Sequence, residues 1–292
     1  MSKVSVKLLG GLGNQMFQYA TARALAYQSG AELILDISWY NIAQDREFAL
    51  NSMNIIGKVQ NNKPSKFISS QFIQKIILKI RHFSAKHFFR ENIFRERFFS
   101  FEPEVLKLEL PVYLDGYFQS EKYFHSIRDV ITHDFTLTTP PNKLNKMMLD
   151  DMGKFDSICV HVRRGDYVAN HITSSNHGLC SLEYYYLGLQ KLTTQLLNPK
   201  CYIFSDDIEW VQSNFISNIP ITIVNINSAK DAHEDIRLMS SCKHFIIANS
   251  SFSWWAAWLG QNPDKIVIAP KKWFNNDDRN TEDLIPKDWI RI

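Results

Sequence analysis

Short apolar segments alternate with helical stretches through the C-terminal half of this chain, and that alternation constrains its fold more than any other feature. Five apolar segments have the composition of buried strands: 157–162, 201–205, 221–225, 244–248 and 265–269. Four intervening stretches have the pattern of helices: 181–196, 207–216, 231–241 and 252–260. Strands that alternate with helices pair in parallel, so this half is predicted to form a Rossmann-like α/β domain.

The N-terminal half opens with a strand, a glycine-rich turn and a helix. Val4–Leu9 predicts the strand, Met16–Gln28 the helix, and Ala31–Asp36 a second strand. A further strand is predicted at Pro111–Tyr117. This β-loop-α-β opening is typical of another parallel sheet, so the whole chain is expected to be α/β.

A stretch with two prolines, Leu137–Lys146, predicts a linker between the two α/β regions. A chain of 292 residues is long enough for two domains. We expect an N-terminal domain over residues 1–150 and a C-terminal domain over residues 151–292, facing each other across a cleft. Apolar residues at four-residue spacing within 64–100 predict an added helical segment on the N-terminal domain.

The composition excludes several classes of protein. Apolar residues make up 45% and charged residues 22% of the chain, as in globular proteins, and a net charge of +3 argues against a nucleic-acid-binding protein. The cysteines form no CxxC pair, which favours free thiols over zinc or disulfides. No run approaches the roughly 20 apolar residues of a membrane span, and the N-terminus lacks the apolar core of a signal peptide. We therefore expect a cytoplasmic protein.

A basic and aromatic segment interrupts the N-terminal half. From Lys58 to Arg97 the chain has ten lysines and arginines against two acidic residues. One interpretation is a pair of amphipathic helices packed on the N-terminal domain. The alternative is that the segment also contacts an anionic membrane, so that the protein is peripheral on the cytoplasmic face of the inner membrane.

Three predicted strands of the C-terminal half end in polar side chains. These are His161, Arg163, Arg164, Ser205, Asp206, Asn249, Ser250 and Ser251. Ligands of parallel α/β sheets bind beyond the carboxyl ends of the strands. Two adjacent arginines are rarely buried without an anion, and guanidinium groups pair with phosphate bidentately. Serines at the start of a helix either cap it or bind phosphate, so a diphosphate site and simple capping both remain open.

The glycine-rich turn GGLGNQ, residues 10–15, matches a dinucleotide-binding motif only in part. Met16 occupies the position of the third glycine in GxGxxG, which argues against a dehydrogenase. A tight turn from strand to helix accounts for the glycines. The polar pair Asn14 and Gln15 is suited to contact a sugar or a phosphate at the predicted cleft.

The acidic residues permit more than one interpretation. Asp206 and Asp207 are adjacent, so their side chains diverge unless the chain turns, and no metal site is expected there. Asp235 lies in the first turn of a predicted helix, where it either complements the helix dipole or accepts hydrogen bonds from a guanine edge. Three tryptophans at helical spacing predict core packing: Trp254, Trp255 and Trp258.

Four segments together carry a family resemblance. GGLGNQMFQYATARAL, HVRRGDYV, FSDDIEWV and IIANSSFSWWAAWL resemble, in order and spacing, the bacterial α-1,2-fucosyltransferases. HVRRGDY is also similar to a strand end of α-1,6- and protein O-fucosyltransferases. The resemblance implies a GT-B glycosyltransferase that moves L-fucose from GDP-β-L-fucose to the 2-hydroxyl of a terminal β-galactoside. Inversion at the anomeric carbon, no metal or other cofactor, and a role in O-antigen or other surface-glycan synthesis are implied as well.

The resemblance also implies roles for individual residues. Arg163 would hold the β-phosphate, His161 and Asp235 would face guanine, and Ser250 and Ser251 would bond phosphate. Arg164 would share the phosphate or pair with an acid. The complete set implied for the donor is Gly11, Gly13, Asn14, Gln15, His161, Arg163, Arg164, Ser205, Asp206, Asp235, Asn249, Ser250, Ser251 and Phe252.

The catalytic base that would activate the acceptor hydroxyl is not determined by the sequence. Asp166, His171 and His177 are equal candidates, and a transition state that needs little base is a further alternative. The acceptor is expected to be a β-galactoside oligosaccharide, free or lipid-linked. Transfer to another position, as in the α-1,6 relatives, and binding of a GDP-sugar without transfer are the alternative functions.

Overall fold

The computed structural model describes residues 2–43, 46–61, 92–165, 178–275 and 279–292. The chain divides into two compact units, Met1–Phe135 and Thr136–Ile292. Each unit is built on one parallel sheet with helices.

The first unit contains a five-stranded parallel sheet. Its strands are β1 (Lys3–Lys7), β2 (Glu32–Asp36), β3 (Lys58–Gln60), β4 (Asn92–Arg95) and β5 (Val112–Asp115), in the order β3-β2-β1-β5-β4. Among its described residues, the α-helices are α1 (Leu12–Ser29) and α2 (Arg128–Asp134). Short 3-10 helices lie at Ser38–Asn41, Leu50–Ser52, Pro103–Lys107, Glu121–Tyr123 and His125–Ile127. The central strand β1 is buried through Val4 and Val6, and it directs the glycine-rich turn to the carboxyl edge of the sheet.

Helix α1 begins four residues before its apolar pattern predicts. Gly10 has φ of +78°, a left-handed conformation that favours glycine, and it turns the chain out of β1. Gly11 is an extended N-cap residue, so the helix begins at Leu12 rather than at Met16. The helix ends at Gly30, which is also left-handed with φ of 63°.

The second unit contains a six-stranded parallel sheet. Its strands are β6 (Asp156–Val162), β7 (Pro199–Ser205), β8 (Ile221–Ile223), β9 (His244–Ile246), β10 (Val267–Ala269) and β11 (Ile290–Arg291), in the order β11-β10-β9-β6-β7-β8. The α-helices in the described part of this unit are α3 (Lys143–Met152), α4 (Leu182–Thr193), α5 (Ile208–Asn214), α6 (Ala232–Ser240) and α7 (Ser251–Leu259). A 3-10 helix at Ala229–Asp231 precedes α6. The five strands and four helices predicted for this half are confirmed, with ends that differ by a few residues.

Strand β6 lies inside this sheet because apolar residues alternate along it. Ile158, Val160 and Val162 belong to one buried cluster together with Ile203 of β7 and Ile246 of β9. Since β6 pairs with both β7 and β9, its carboxyl end falls in the middle of the sheet edge. The predicted core face of α7 is confirmed as well, since its three tryptophans are at most 1% exposed.

Two predictions about the middle of the chain differ from the structure. The predicted boundary between residues 150 and 151 falls inside α3, which belongs to the second unit, where Asn145 exchanges hydrogen bonds with Asn227. Residues 92–95, predicted to be helical, form β4 because they pair with β5. Most of the predicted helical segment, residues 62–91, lies outside the described residues. No helix in the described part of the chain combines the length and apolar character needed to cross a bilayer.

Candidate active site

The carboxyl edge of the second sheet gathers polar side chains from three neighbouring strands. Val162 of β6 is opposite Ser205 of β7, and Val160 is opposite Ile246 of β9. The segments that continue from these residues therefore leave the sheet side by side. The edge formed in this way carries most of the polar residues that the sequence predicts for this unit.

Arg163 and Asp206 form an ion pair at this edge. Nη1 of Arg163 lies 3.1 Å from Oδ2 of Asp206, and each side chain is 23% exposed. Burial raises the pKa of Asp206, but Arg163 and the backbone N–H groups of Arg164 and Gly165 lower it more, so the net pKa lies below its usual value. Asp206 is therefore an ionised carboxylate that neutralises and orients Arg163.

Asp206 also fixes the backbone that follows β6. Its Oδ1 accepts a hydrogen bond from the backbone N–H of Arg164 at 2.8 Å. A Cβ atom on Gly165 would lie 3.1 Å from Oδ2 of Asp206, so any larger residue would crowd the carboxylate. The glycine thus lets the turn approach Asp206 closely, and the turn holds Arg163 in a defined position.

Arg164 has surroundings different from those of Arg163. Its guanidinium carbon lies 3.9 Å from the centre of the Trp210 ring, and its Nε lies 3.5 Å from Oδ2 of Asp207. At 3.5 Å the contact with Asp207 is an ion pair without hydrogen-bond geometry, and Nε has no hydrogen-bond partner among the described residues. Asp207 in turn caps helix α5 through the N–H of Trp210. The two adjacent arginines are therefore held by different acids, and Arg164 stacks on an aromatic ring.

His161 is a buried, uncharged imidazole at the end of β6. It is 5% exposed, and its ring centre lies 5.9 Å from that of Phe252. Burial, with a further contribution from Arg163, lowers the pKa of His161 to about 3. Its Nδ1 is buried and has no hydrogen-bond partner among the described residues. Buried polar atoms are normally paired, so this nitrogen is a candidate for contact with a ligand.

The segment after β9 contains a helix-capping residue, Ser250, and a side chain, Asn249, that bonds two other chain segments. Ser250 caps α7 by accepting a hydrogen bond from the N–H of Phe252, as the simple capping interpretation predicts. Asn249 is 3% exposed and donates from its amide to the carbonyl oxygens of Gly178 and Trp273. Its amide nitrogen therefore connects two chain segments, and the donor contact that the family resemblance implies for Asn249 stays a prediction. Ser251 is the first residue of α7.

A cavity of about 270 Å³ lies beside Asn249 at the ends of β9 and β10. Its lining includes Cys180, Tyr184, Lys271 and Lys272. The two lysines make its surroundings positive, while the hydroxyl of Tyr184 is occupied by the backbone carbonyls of Ile247 and Ile268.

Asp235 is held by Asn227, which is itself bonded to Asn145, and the sequence indicated neither asparagine as functional. Nδ2 of Asn227 donates to Oδ1 of Asp235 at 2.9 Å. Asn227 and Asn145 also exchange two amide hydrogen bonds, of 2.9 and 3.0 Å, and Asn145 is fully buried. Burial raises the pKa of Asp235, while Asn227 lowers it in part. The other carboxylate oxygen, Oδ2, accepts no hydrogen bond from the described residues.

In the first unit, the glycine-rich turn is braced by Gln15. This side chain is fully buried, donates to the carbonyls of Gly10 and Glu47, and accepts from the N–H of Ala49. Gln15 therefore supports the turn, and its amide does not open outward as the sequence predicts. Two other predicted residues, Gly13 and Asn14, lie in the first turn of α1.

Asn14 is partly exposed, and its Oδ1 accepts a hydrogen bond from Nε2 of Gln119 at 2.8 Å.

The three candidate bases, Asp166, His171 and His177, lie outside the described residues. Within the described residues, no group of three or more His, Cys, Asp or Glu side chains has the arrangement of a metal site. The contributions of Asn145 and Asn227 could not be inferred from the sequence, because single asparagines in a linker and a loop carry no pattern.

Comparisons with known proteins cover the whole chain. The model of glycosyl transferase family 11 matches residues 1–292. An α-1,2-colitosyltransferase of Escherichia coli is 35% identical, and the match covers 100% of this chain and 99% of that protein. The O-antigen biosynthesis glycosyltransferase WbnK of Escherichia coli is 33% identical over 98% of this chain and 99% of that protein.

Among solved structures, a mutant of Arabidopsis thaliana FUT1 in complex with GDP matches with a TM-score of 0.52. The identity is 11%, and the match covers 98% of this chain and 75% of that one. At this identity the likeness concerns the fold alone. The predicted fold class, an α/β fold of the GT-B type with two parallel sheets, is confirmed.

Proposed function

We propose that this chain, which belongs to glycosyl transferase family 11, transfers L-fucose from GDP-β-L-fucose to the 2-hydroxyl of a terminal β-galactoside. The anomeric carbon of fucose is inverted in this reaction. The observation that carries this proposal is the arrangement of Arg163, Asp206 and His161 at the carboxyl edge of the second sheet. An oriented arginine beside a buried nitrogen without a partner is suited to receive a nucleoside diphosphate. The names of the bacterial relatives support α-1,2 transfer in O-antigen synthesis.

In the proposed reaction, the acceptor O2 attacks the anomeric carbon of fucose while the bond from that carbon to the β-phosphate oxygen breaks. The bonding electrons leave with GDP, and the hydroxyl proton passes to a base or to water. Negative charge therefore grows on the β-phosphate. Arg163 meets this charge with a planar guanidinium that can form two parallel hydrogen bonds to phosphate oxygens.

Asp206 prepares Arg163 for this function. Because Asp206 already orients the guanidinium, little rearrangement is needed when the diphosphate binds. The neutral state of His161 avoids a second positive charge beside Arg163 and leaves one ring nitrogen able to accept a hydrogen bond. In this proposal the protein's own cation stabilises the leaving group, and a divalent metal is not required.

A second donor is favoured by one observation, the 35% identity over the full chain to an α-1,2-colitosyltransferase. Colitose is 3,6-dideoxy-L-galactose, that is, fucose without its 3-hydroxyl group. A site that hydrogen-bonds this hydroxyl discriminates strongly against the deoxy sugar, whereas an apolar site does not. The residues around the sugar therefore decide between GDP-fucose and GDP-colitose.

The test is to incubate the purified protein with GDP-fucose or GDP-colitose and a panel of β-galactosides, with GDP release and product linkage as readouts. We expect an α-1,2-linked product with GDP-fucose. Faster transfer from GDP-colitose would reassign the donor, and an α-1,6-linked product would reassign the linkage. Tight binding of GDP-fucose without release of GDP would favour a binding protein.

We further propose that the protein acts in the cytoplasm. A contact of residues 64–100 with membrane stays a prediction.

A further inference from the structure

A strained loop follows β5 at the carboxyl edge of the first sheet. Phe118 has φ of 53° and is the only non-glycine residue with positive φ in the described part of the chain. This left-handed conformation is unfavourable for a large aromatic residue and persists only where the surroundings enforce it. Such strain often occurs at sites that bind ligands.

The loop is enforced by a single carboxylate. Oε2 of Glu96 accepts a hydrogen bond from the N–H of Tyr117 at 2.7 Å, and Oε1 accepts one from the N–H of Phe118 at 2.9 Å. A Cβ atom on Gly116 would lie 2.4 Å from Cβ of Glu96, so only glycine fits there. The Phe118 ring is fully buried and makes an edge contact with Tyr123 at 5.7 Å.

The result of this arrangement is an outward-facing Tyr117. Its side chain is 41% exposed, although its neighbour Phe118 is completely buried. Two residues further on, Gln119 donates to Asn14 at the start of α1. Tyr40 lies nearby, since its phenol interacts electrostatically with that of Tyr117, and its hydroxyl donates to the carbonyl of Gly10 at 3.1 Å. Tyr117, Asn14 and Tyr40, with the buried Gln119 bonded to Asn14, form a shelf beside the glycine-rich turn. Arg46 is a neighbour of this shelf, since its Nη1 would lie 3.9 Å from a Cβ atom on Gly11.

We infer that this shelf binds a pyranose ring of the acceptor glycan, with Tyr117 stacked against the sugar and the Asn14 amide, held by Gln119, near its hydroxyl groups. A galactopyranose has one face of C–H bonds and a rim of hydroxyls, and it therefore matches an exposed aromatic ring beside amides. Asn14 is thus assigned to the acceptor, whereas the family resemblance implies it for the donor, and the separate donor and acceptor KM values distinguish the two. This inference rests on the proposed function.

The rigidity of the loop gives the shelf a function in selecting the acceptor. Glu96 holds two consecutive N–H groups, and the buried Phe118 ring prevents the loop from turning over. Tyr117 is therefore already oriented before a sugar arrives, and little conformational entropy is lost on binding. A strained but fixed platform of this kind favours acceptors whose terminal sugar presents the matching face.

The test compares Tyr117→Ala with Tyr117→Phe in steady-state transfer from GDP-fucose to a β-galactoside. Loss of the ring is expected to raise the acceptor KM roughly five- to tenfold, while the donor KM stays within about twofold. Tyr117→Phe keeps the ring and should resemble the wild type. The matched control is Tyr27→Ala, which removes a 54% exposed tyrosine from the opposite end of α1 and should leave both KM values unchanged.

A second readout does not need turnover. Saturation-transfer NMR on the wild type should show contact between the protein and the β-galactoside in the absence of donor, and Tyr117→Ala should weaken it. An unchanged acceptor KM in Tyr117→Ala, or a rise in the donor KM instead, overturns the inference while the proposed function stands. Failure of the wild type to transfer fucose removes the proposed function and the inference together, whereas transfer without any galactoside contact in the absence of donor overturns the inference alone.

Discussion

The guanidinium of Arg163 is paired with the carboxylate of Asp206, with 3.1 Å between Nη1 and Oδ2. Because Asp206 also accepts a hydrogen bond from the backbone of Arg164, it ties the arginine to the turn that follows β6. The carboxylate therefore limits the motion of Arg163 before any ligand binds. The proposed function assigns this oriented cation to the leaving diphosphate.

Substitution of Arg163 by lysine is expected to lower kcat/KM by roughly 10²- to 10³-fold, because lysine keeps the charge but loses the planar arrangement of donors. Initial rates with saturating acceptor measure this effect, and thermal unfolding serves as the control for folding. The matched control is Arg279→Lys, an arginine of the same unit that stacks on Phe274. Near wild-type turnover in Arg163→Lys would remove this residue from the mechanism.

Asp206→Asn tests the orienting carboxylate. The amide keeps the size of the side chain but removes the charge, so the free energy that orders Arg163 is reduced. We expect kcat/KM to fall about tenfold, less than in Arg163→Lys, as for loss of a hydrogen bond to a charged group. If the double variant loses no more activity than Arg163→Lys alone, the two residues act as one unit; fully additive losses contradict that connection.

His161 makes the stability of the protein depend on pH. Its pKa is about 3 in the folded state, against 6.5 as the usual value, so the unfolded state binds more protons between these limits. Stability therefore increases with pH through that window and is lost on acidification from pH 6.5 toward 3. His161→Gln should flatten the profile in urea unfolding measured from pH 7 to pH 4. A profile with the same slope as the wild type contradicts the buried neutral state.

The stacking of Arg164 on Trp210 should contribute mainly to stability. The guanidinium carbon lies 3.9 Å from the ring centre, and such contacts contribute on the order of 1 kcal/mol. A double-mutant cycle with Arg164→Ala and Trp210→Ala, followed by urea unfolding, measures the coupling. Coupling near zero would show that the stack has no energetic value. Trp210→Phe keeps an aromatic face and should retain part of the coupling.

Asn227 should affect nucleobase selectivity if Asp235 contacts guanine. Without Asn227 the carboxylate loses its one hydrogen bond from a described side chain, and its position becomes less defined. We expect Asn227→Ala to weaken binding of GDP about tenfold and binding of IDP, which lacks the 2-amino group, less than that. Titration calorimetry with both nucleotides gives the ratio.

The matched control for Asn227 is Ser228→Ala. Ser228 forms the capping box of the same loop with Asp231, and its side chain has no hydrogen bond to Asp235. This variant is expected to lower stability and to leave the GDP-to-IDP ratio unchanged. An unchanged ratio in Asn227→Ala would contradict a function of the asparagine pair in nucleobase recognition.

The parts of the site that could be predicted from the sequence are those set by local patterns. The alternation of Ile158, Val160 and Val162 predicts β6, and the rule that ligands bind at carboxyl ends places Arg163 at the edge. The parts that could not be predicted depend on contacts between distant segments. Gln15 reads as an exposed amide beside a glycine turn, yet the chain at Glu47–Ala49 returns to cover it.

The strained loop shows the same limit. The sequence DGY after β5 indicates a turn, but it does not reveal that Glu96 lies close enough to hold two N–H groups of that turn. That contact requires β4 beside β5, and β4 lies in a segment whose composition favours a helix. Tertiary pairing overrides local preference there, since strand propensity depends strongly on context.

NMR analysis of the product that wild-type protein forms from GDP-β-L-fucose and a β-galactoside, with GDP quantified in the same sample, determines whether the protein is an α-1,2-fucosyltransferase. We expect an α-linked fucose on the galactose 2-hydroxyl and one GDP for each glycan formed. Retention of the β configuration, a different linkage, or GDP released without any fucosylated glycan would contradict it.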